Sequence, residues 1–162
     1  MAVTITISGT PIAFPSSAAA PNWASALISF AQLVETALAS AAGTYDVAQQ
    51  VYTMSSNQTD SDVNITNLLF DPTNVLGFVV EYTITRSTDS PTTITESGSI
   101  TAEYNSTRST GSKWQFIRDA VGDANITFGI TDAGQVQYTL TAVDGGSSHT
   151  GEVLFRGRAM DT

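Results

Sequence analysis

Beyond residue 44 the chain alternates apolar and polar side chains with a period of two. In 113–121 (KWQFIRDAV) Trp114, Phe116 and Arg118 fall on one face, with Gln115, Ile117 and Asp119 on the other. In 125–131 (NITFGIT) Ile126, Phe128 and Ile130 alternate with polar or small residues, and Val136, Tyr138, Leu140 and Ala142 repeat the pattern. Such alternation marks half-buried strands. Between the last two runs lies Asp132-Ala133-Gly134-Gln135, whose glycine accepts positive φ without Cβ strain, a hairpin signal. Further strands are predicted at 47–54, 63–70, 78–85, 94–104 and 151–160, divided by polar stretches such as 55–62 (SSNQTDSD) and 105–112 (NSTRSTGS). Val79 is apolar between Phe78 and Val80, so that strand is expected to be central and covered on much of both faces. About eight closely spaced strands predict a mainly β fold, an antiparallel β-sandwich.

The first 43 residues read differently. Val3, Ile5 and Ile7 alternate with Thr4, Thr6 and Ser8 until Gly9 and Pro11, giving a short strand or extended arm. Residues 12–20 (IAFPSSAAA) read as an extended, loosely packed linker. Pro21, suited to a first helical turn, with Asn22 as a cap, opens one long helix, and Gly43 closes it. Trp23, Leu27, Phe30, Val34, Ala37 and Ala41 follow at spacings of four, three, four, three and four, an apolar stripe of heptad kind on a rod roughly 30 Å long. The expected organisation is an arm at 1–20, a helix at 21–43 and a β-sandwich head at 44–162. The stripe either lies on a sheet of its own subunit or packs against copies of itself about a symmetry axis, a trimer being favoured among homo-oligomers. Val3, Ile5, Ile7, Trp23, Leu27, Phe30 and Val34 are thus the candidate residues of an oligomer or anchor interface.

Charge narrows the partners. Six basic against fifteen acidic residues give a net charge of −9, a field that repels phosphate backbones, so nucleic acid is not an expected partner. Residues 18–42 carry too many polar side chains to span a bilayer, and no basic segment precedes an apolar run as in a secretory signal. No membrane partner is expected. There are no cysteines, which removes disulfides and thiolate metal sites from consideration.

Little in the sequence points to a reaction. The single histidine, His149, sits in a Gly/Ser-rich loop, and no Gly-x-Ser-x-Gly elbow accompanies it. Asp60-Ser61-Asp62-Val63-Asn64 begins like a calcium loop, but position six is Ile65 rather than Gly and position twelve is Asp71 rather than Glu. Neither cofactor nor metal is expected. Asn57, Asn64, Asn105 and Asn125 head N-x-[ST] triplets, which matter only in a secreted eukaryotic chain. Tyr104, Trp114 and Tyr138 are a candidate stacking platform for sugar rings, against the alternative that they fill the core.

Several blocks, taken with their order, resemble a family of small structural proteins of tailed bacteriophages. They are Pro21-Asn22-Trp23-Ala24 leading into 30–38 (FAQLVETAL), 68–72 (LLFDP), 77–87 (GFVVEYTITRS), Glu96-Ser97-Gly98, Lys113-Trp114 and, most distinctive, 119–138 (DAVGDANITFGITDAGQVQY). The resemblance implies a virion component with a helix followed by a β-rich head, and brings no catalytic residues with it. The expected function is therefore non-enzymatic: a surface protein of the particle, either capsid decoration (cement) or a short fibre-like appendage. Its partners would be copies of itself and capsid or tail subunits. The alternative is a β-sandwich module binding a host glycan.

Overall fold

A computed structural model describes residues 3–7, 10–14, 27–34, 43–89, 92–145 and 148–161. The chain divides into two units, Met1–Thr44 and Tyr45–Thr162. In the first, β1 (Val3–Ile7) pairs antiparallel with β2 (Thr10–Phe14), in a register running from Val3↔Phe14 to Ile7↔Thr10. The predicted leading strand is therefore half of a hairpin. Residues 12–14, expected as loose linker, form its second strand, because two adjacent extended runs satisfy each other's backbone groups. Helix α1 covers 27–34; residues 21–26, Trp23 included, and 35–42 of the predicted 21–43 helix lie outside the described residues.

The second unit is mainly β, with eight strands in two antiparallel sheets. The larger sheet has the order β3 (Val47–Met54), β10 (His149–Asp161), β5 (Val75–Thr88), β6 (Thr93–Tyr104), β7 (Trp114–Gly122). The smaller has the order β4 (Val63–Leu69), β9 (Gln135–Leu140), β8 (Ile126–Ile130). Alternation produces the core: Phe78, Val80, Tyr82 and Ile84 of β5, Ile100 and Ala102 of β6, and Val153 and Phe155 of β10 point inward from one sheet. Ile126, Phe128, Val136, Tyr138 and Leu140 meet them from the other. Aromatic rings join the layers, with Tyr82 and Phe128 centroids 5.1 Å apart and Tyr52 edge-on to Tyr138 at 5.8 Å, geometries favoured by the ring quadrupole.

Strand β5 is central, as expected, but covered on one face only. Glu81, Thr83 and Thr85 are exposed and Val79 is half-buried, because the second sheet packs on one side of the first. The β8–β9 turn forms as predicted. Gly134 has φ 86° and its N–H donates to Thr131 O at 2.8 Å, a three-residue hairpin with a left-handed last position. This glycine serves a second purpose: a Cβ there would lie 1.8 Å from the Phe70 carbonyl oxygen, which belongs to the segment following β4.

Candidate functional site

Two buried polar clusters hold the passage from one sheet to the other. By parity Arg86 continues the inward face of β5, and its side chain is 0% exposed. Its guanidinium donates to main-chain carbonyls from three separate connections: Asn57 at 2.6 Å, Ala124 at 2.6 Å and Asn125 at 3.1 Å, and Thr141 at 3.1 Å. It also donates to Asn57 Oδ1 at 3.1 Å and faces His149 Nε2 at 3.4 Å. The described partners of this cation are neutral oxygens and a ring nitrogen, not a carboxylate. Burial accordingly pulls the Arg86 pKa down. Burial, then the adjacent Arg86 charge, pushes the His149 imidazole toward its neutral form.

The second cluster surrounds Glu96, which is buried on β6. Its carboxylate pairs with Arg118 of β7, accepts the Tyr82 hydroxyl at 2.6 Å, and accepts the Ala124 N–H at 3.1 Å. Arg118 reaches on to Ile126 O at 2.8 Å and lies 5.6 Å over the Phe128 ring. Burial and the carboxylate push the Tyr82 phenol up to about 12, so it remains a donor. The segment Gly122–Ile126, which carries the chain from β7 to β8, is thus gripped by Arg86, Glu96 and Arg118. Asp123 completes it by accepting the Asn125 N–H at 2.7 Å, with Asn125 at φ 53°.

These groups are committed to structure, and what they leave for chemistry is small. Among the described residues no group of three or more His, Asp or Glu side chains is placed to hold a metal ion. Asp60 and Asp62, at the start of the calcium-like stretch, are exposed. His149 borders a surface hollow with Thr85, Ser87, Thr150 and Glu152, but its Nε2 already faces Arg86.

The candidate sugar platform is corrected. Trp114 is 6% and Tyr138 2% exposed. Trp114 packs on Phe78 at 5.2 Å and on the half-buried Tyr104 at 5.2 Å, while Tyr138 meets Tyr52 across the sheets. Both rings have their faces inside the core, where burying large aromatic area stabilises most, so the three do not form an open stacking surface.

Among the described residues large apolar side chains are exposed on α1, β3, β4, β5, β7 and β10, and those of α1 and β7 include the most exposed. On α1 Leu27 is 54% exposed, Ile28 is comparably so, and Phe30 and Val34 are half-buried. Val3, Ile5 and Ile7 alternate along β1, their side chains outside the described residues. On β7 Trp114 is buried and Arg118 turns in to Glu96, Phe116 on the same face is 36% exposed, and Ile117 and Val121 on the other face are 71% and 82% exposed. A cleft of about 680 Å³ wraps this strand, lined by Phe116, Ile117, Trp114, Ala102, Thr101 and Met160 among others. Ile117 and Val121 lie on the face of the larger sheet turned away from the smaller one, and Phe116, on the inner face, is exposed because β7 ends that sheet, a position that alternation along the strand does not reveal.

No family model matches the chain, and no curated protein matches it. Among solved structures it is similar to the tailspike protein of Acinetobacter phage vB_ApiP_P1, with 15% identity, TM-score 0.42, and coverage of 69% of this chain and 22% of that one. It is similar also to the tailspike protein of Acinetobacter baumannii phage AM24, with 11% identity, TM-score 0.35, and coverage of 72% and 26%. The chain thus spans about a quarter of the length of either tailspike.

Proposed function

We propose that this chain is a non-enzymatic structural component of a tailed-phage particle. It is displayed on the particle surface as a capsid decoration protein or short fibre-like appendage, and held there through residues 1–43. The observation that carries the reading is the division of labour between the two units. Helix α1 leaves Leu27 and Ile28 more than half exposed, a face suited to packing against copies of the same helix or against another virion protein. The sandwich, in contrast, spends its buried charges on its own connections. The resemblance of the blocks at 21–38 and 119–138 to phage structural proteins points the same way.

The test is particle attachment. Full-length protein and a variant lacking residues 1–20 are added to particles assembled without it, and bound protein is measured after sedimentation. Attachment of the full-length chain, with loss in the truncated one at unchanged β-sheet circular dichroism, is expected. Undiminished attachment of the truncated chain would remove the anchor. A Leu27→Glu, Ile28→Glu variant should lower the oligomeric state in light scattering if copies meet through the helix.

A further inference from the structure

The sandwich has four sheet edges, and three of them are closed to strand addition. The β3 edge carries a register shift opposite Phe155/Gly157. The β4 edge is interrupted between Asn64 and Leu69, with Asn67 at φ 65°. The β8 edge is five residues long, and its Ile126 carbonyl is taken by Arg118. Bulges, breaks and short strands are how proteins prevent edges from pairing with other chains.

The β7 edge has none of these devices. It runs nine residues without Pro and without a register shift against β6. Its one arginine is turned inward to Glu96, away from the rim. The direction of its free backbone groups follows from one bond. Asn105 N–H donates to Lys113 O at 2.9 Å, in register with the β6–β7 ladder. Odd-numbered residues of β7 therefore bond to β6, and the N–H and C=O groups of Trp114, Phe116, Arg118 and Ala120 point outward.

We infer that this edge is an interface between two copies of the chain, paired β7 to β7 antiparallel about a two-fold axis at Ile117. The outward even-numbered residues fix which registers are allowed. In the one centred on Ile117, Phe116 exchanges backbone bonds with Arg118 of the second copy and Trp114 with Ala120. Ile117 meets its own copy as a non-hydrogen-bonded pair, where side chains come closest. Gln115 then faces Asp119, and Lys113 faces Val121. No like charges meet, and each exposed apolar side chain gains a neighbour. The register centred on Arg118 would instead set Ile117 against Asp119, and that centred on Asp119 would oppose two carboxylates. Pairing joins two five-stranded sheets into one of ten strands and covers the cleft beside Phe116 and Ile117. This interface lies wholly in the second unit and does not depend on how residues 1–43 are used.

The absence of cysteine makes the test direct. Ile117→Cys and Val121→Cys are prepared separately in the full-length chain, oxidised mildly, and resolved on non-reducing gels. Val121 is the more exposed of the two, so random collision favours it. The two-fold register instead brings only the thiols introduced at position 117 within disulfide range, so the Ile117→Cys dimer should exceed the Val121→Cys dimer about tenfold. Adding Ala120→Pro, which deletes an outward N–H and spares the β6 ladder, should abolish the cross-link while circular dichroism is unchanged. Equal or greater cross-linking at Val121→Cys, no cross-linking at either, or a cross-link undiminished by Ala120→Pro would overturn the inference.

Discussion

Replacing Arg86 with Met keeps an unbranched side chain of similar length and removes the cation. The variant leaves the carbonyls of Asn57, Ala124 and Thr141 without the donors that now reach them at 2.6–3.1 Å, while Asn125 O keeps the Thr141 N–H at 3.0 Å. A buried acceptor stripped of its partner costs about 1–3 kcal/mol. Ala124 O is fully enclosed, while the others lie nearer the surface and regain part of their hydration. A loss of about 4 kcal/mol results, the sum of these acceptors left without donors. For a domain of this size that is a fall in Tm of about 15 °C. Arg86→Lys should cost about half as much, because an ammonium keeps a charge but cannot span three carbonyls with a planar fork. The control is Arg156→Met, which removes an exposed arginine paired with Glu81 and should change stability by less than about 1 kcal/mol. Urea denaturation followed by circular dichroism measures all three. If Arg86→Met matched Arg156→Met, the carbonyls would be satisfied by water in the native state, and Arg86 would not be what ties the three connections together.

Two further outcomes follow from the same geometry. Gly134→Ala should destabilise by more than about 2 kcal/mol in the same urea assay, because the positive φ is strained for alanine and the new methyl meets the Phe70 main chain. A native-like midpoint would show that the hairpin shifts freely. Stability should also fall as pH drops from 7.5 to 5. His149, held neutral by burial and by Arg86, has a folded pKa below its unfolded value of about 6.5, so the unfolded chain binds the proton first. The contribution is complete above that unfolded value and is lost as pH falls toward the folded one. His149→Gln should flatten this slope, and an unchanged slope would remove His149 as its source.

The strands were legible because alternation is a local property. The predicted run at 47–54 coincides with β3, and the others fall within a few residues of the observed strands. The interior polar network was legible only in part. Parity places Arg86 with Phe78, Val80, Tyr82 and Ile84, and Glu96 with Ile100 and Ala102, yet a charge argues for the outward face. What reverses that is, for Arg86, a set of carbonyls 29 to 55 positions distant along the chain and, for Glu96, Arg118 and the Ala124 N–H, which no window of sequence brings into view. Strand order was equally hidden. Residues 113–121 alternate as well as any other run, and only their place at the end of a sheet explains why Phe116, on the inner face beside Trp114, meets solvent. The sugar platform failed for a related reason: spacing could not tell a ring on the rim from one between the layers.

The pairing of β3 with β10, Val47 opposite Gly157 and Met54 opposite Gly151, puts both chain ends of the head at one pole. The connections gathered by Arg86 lie at the other. Tension applied between the two ends would peel these neighbouring strands apart one hydrogen bond at a time, and the head would yield at low force. Tension running from residue 45 to the far pole loads the whole β3–β10 ladder in shear, so its bonds must fail together. A tether at the amino-terminal side and a load borne by the distal loops is therefore the arrangement in which this sandwich is mechanically strongest.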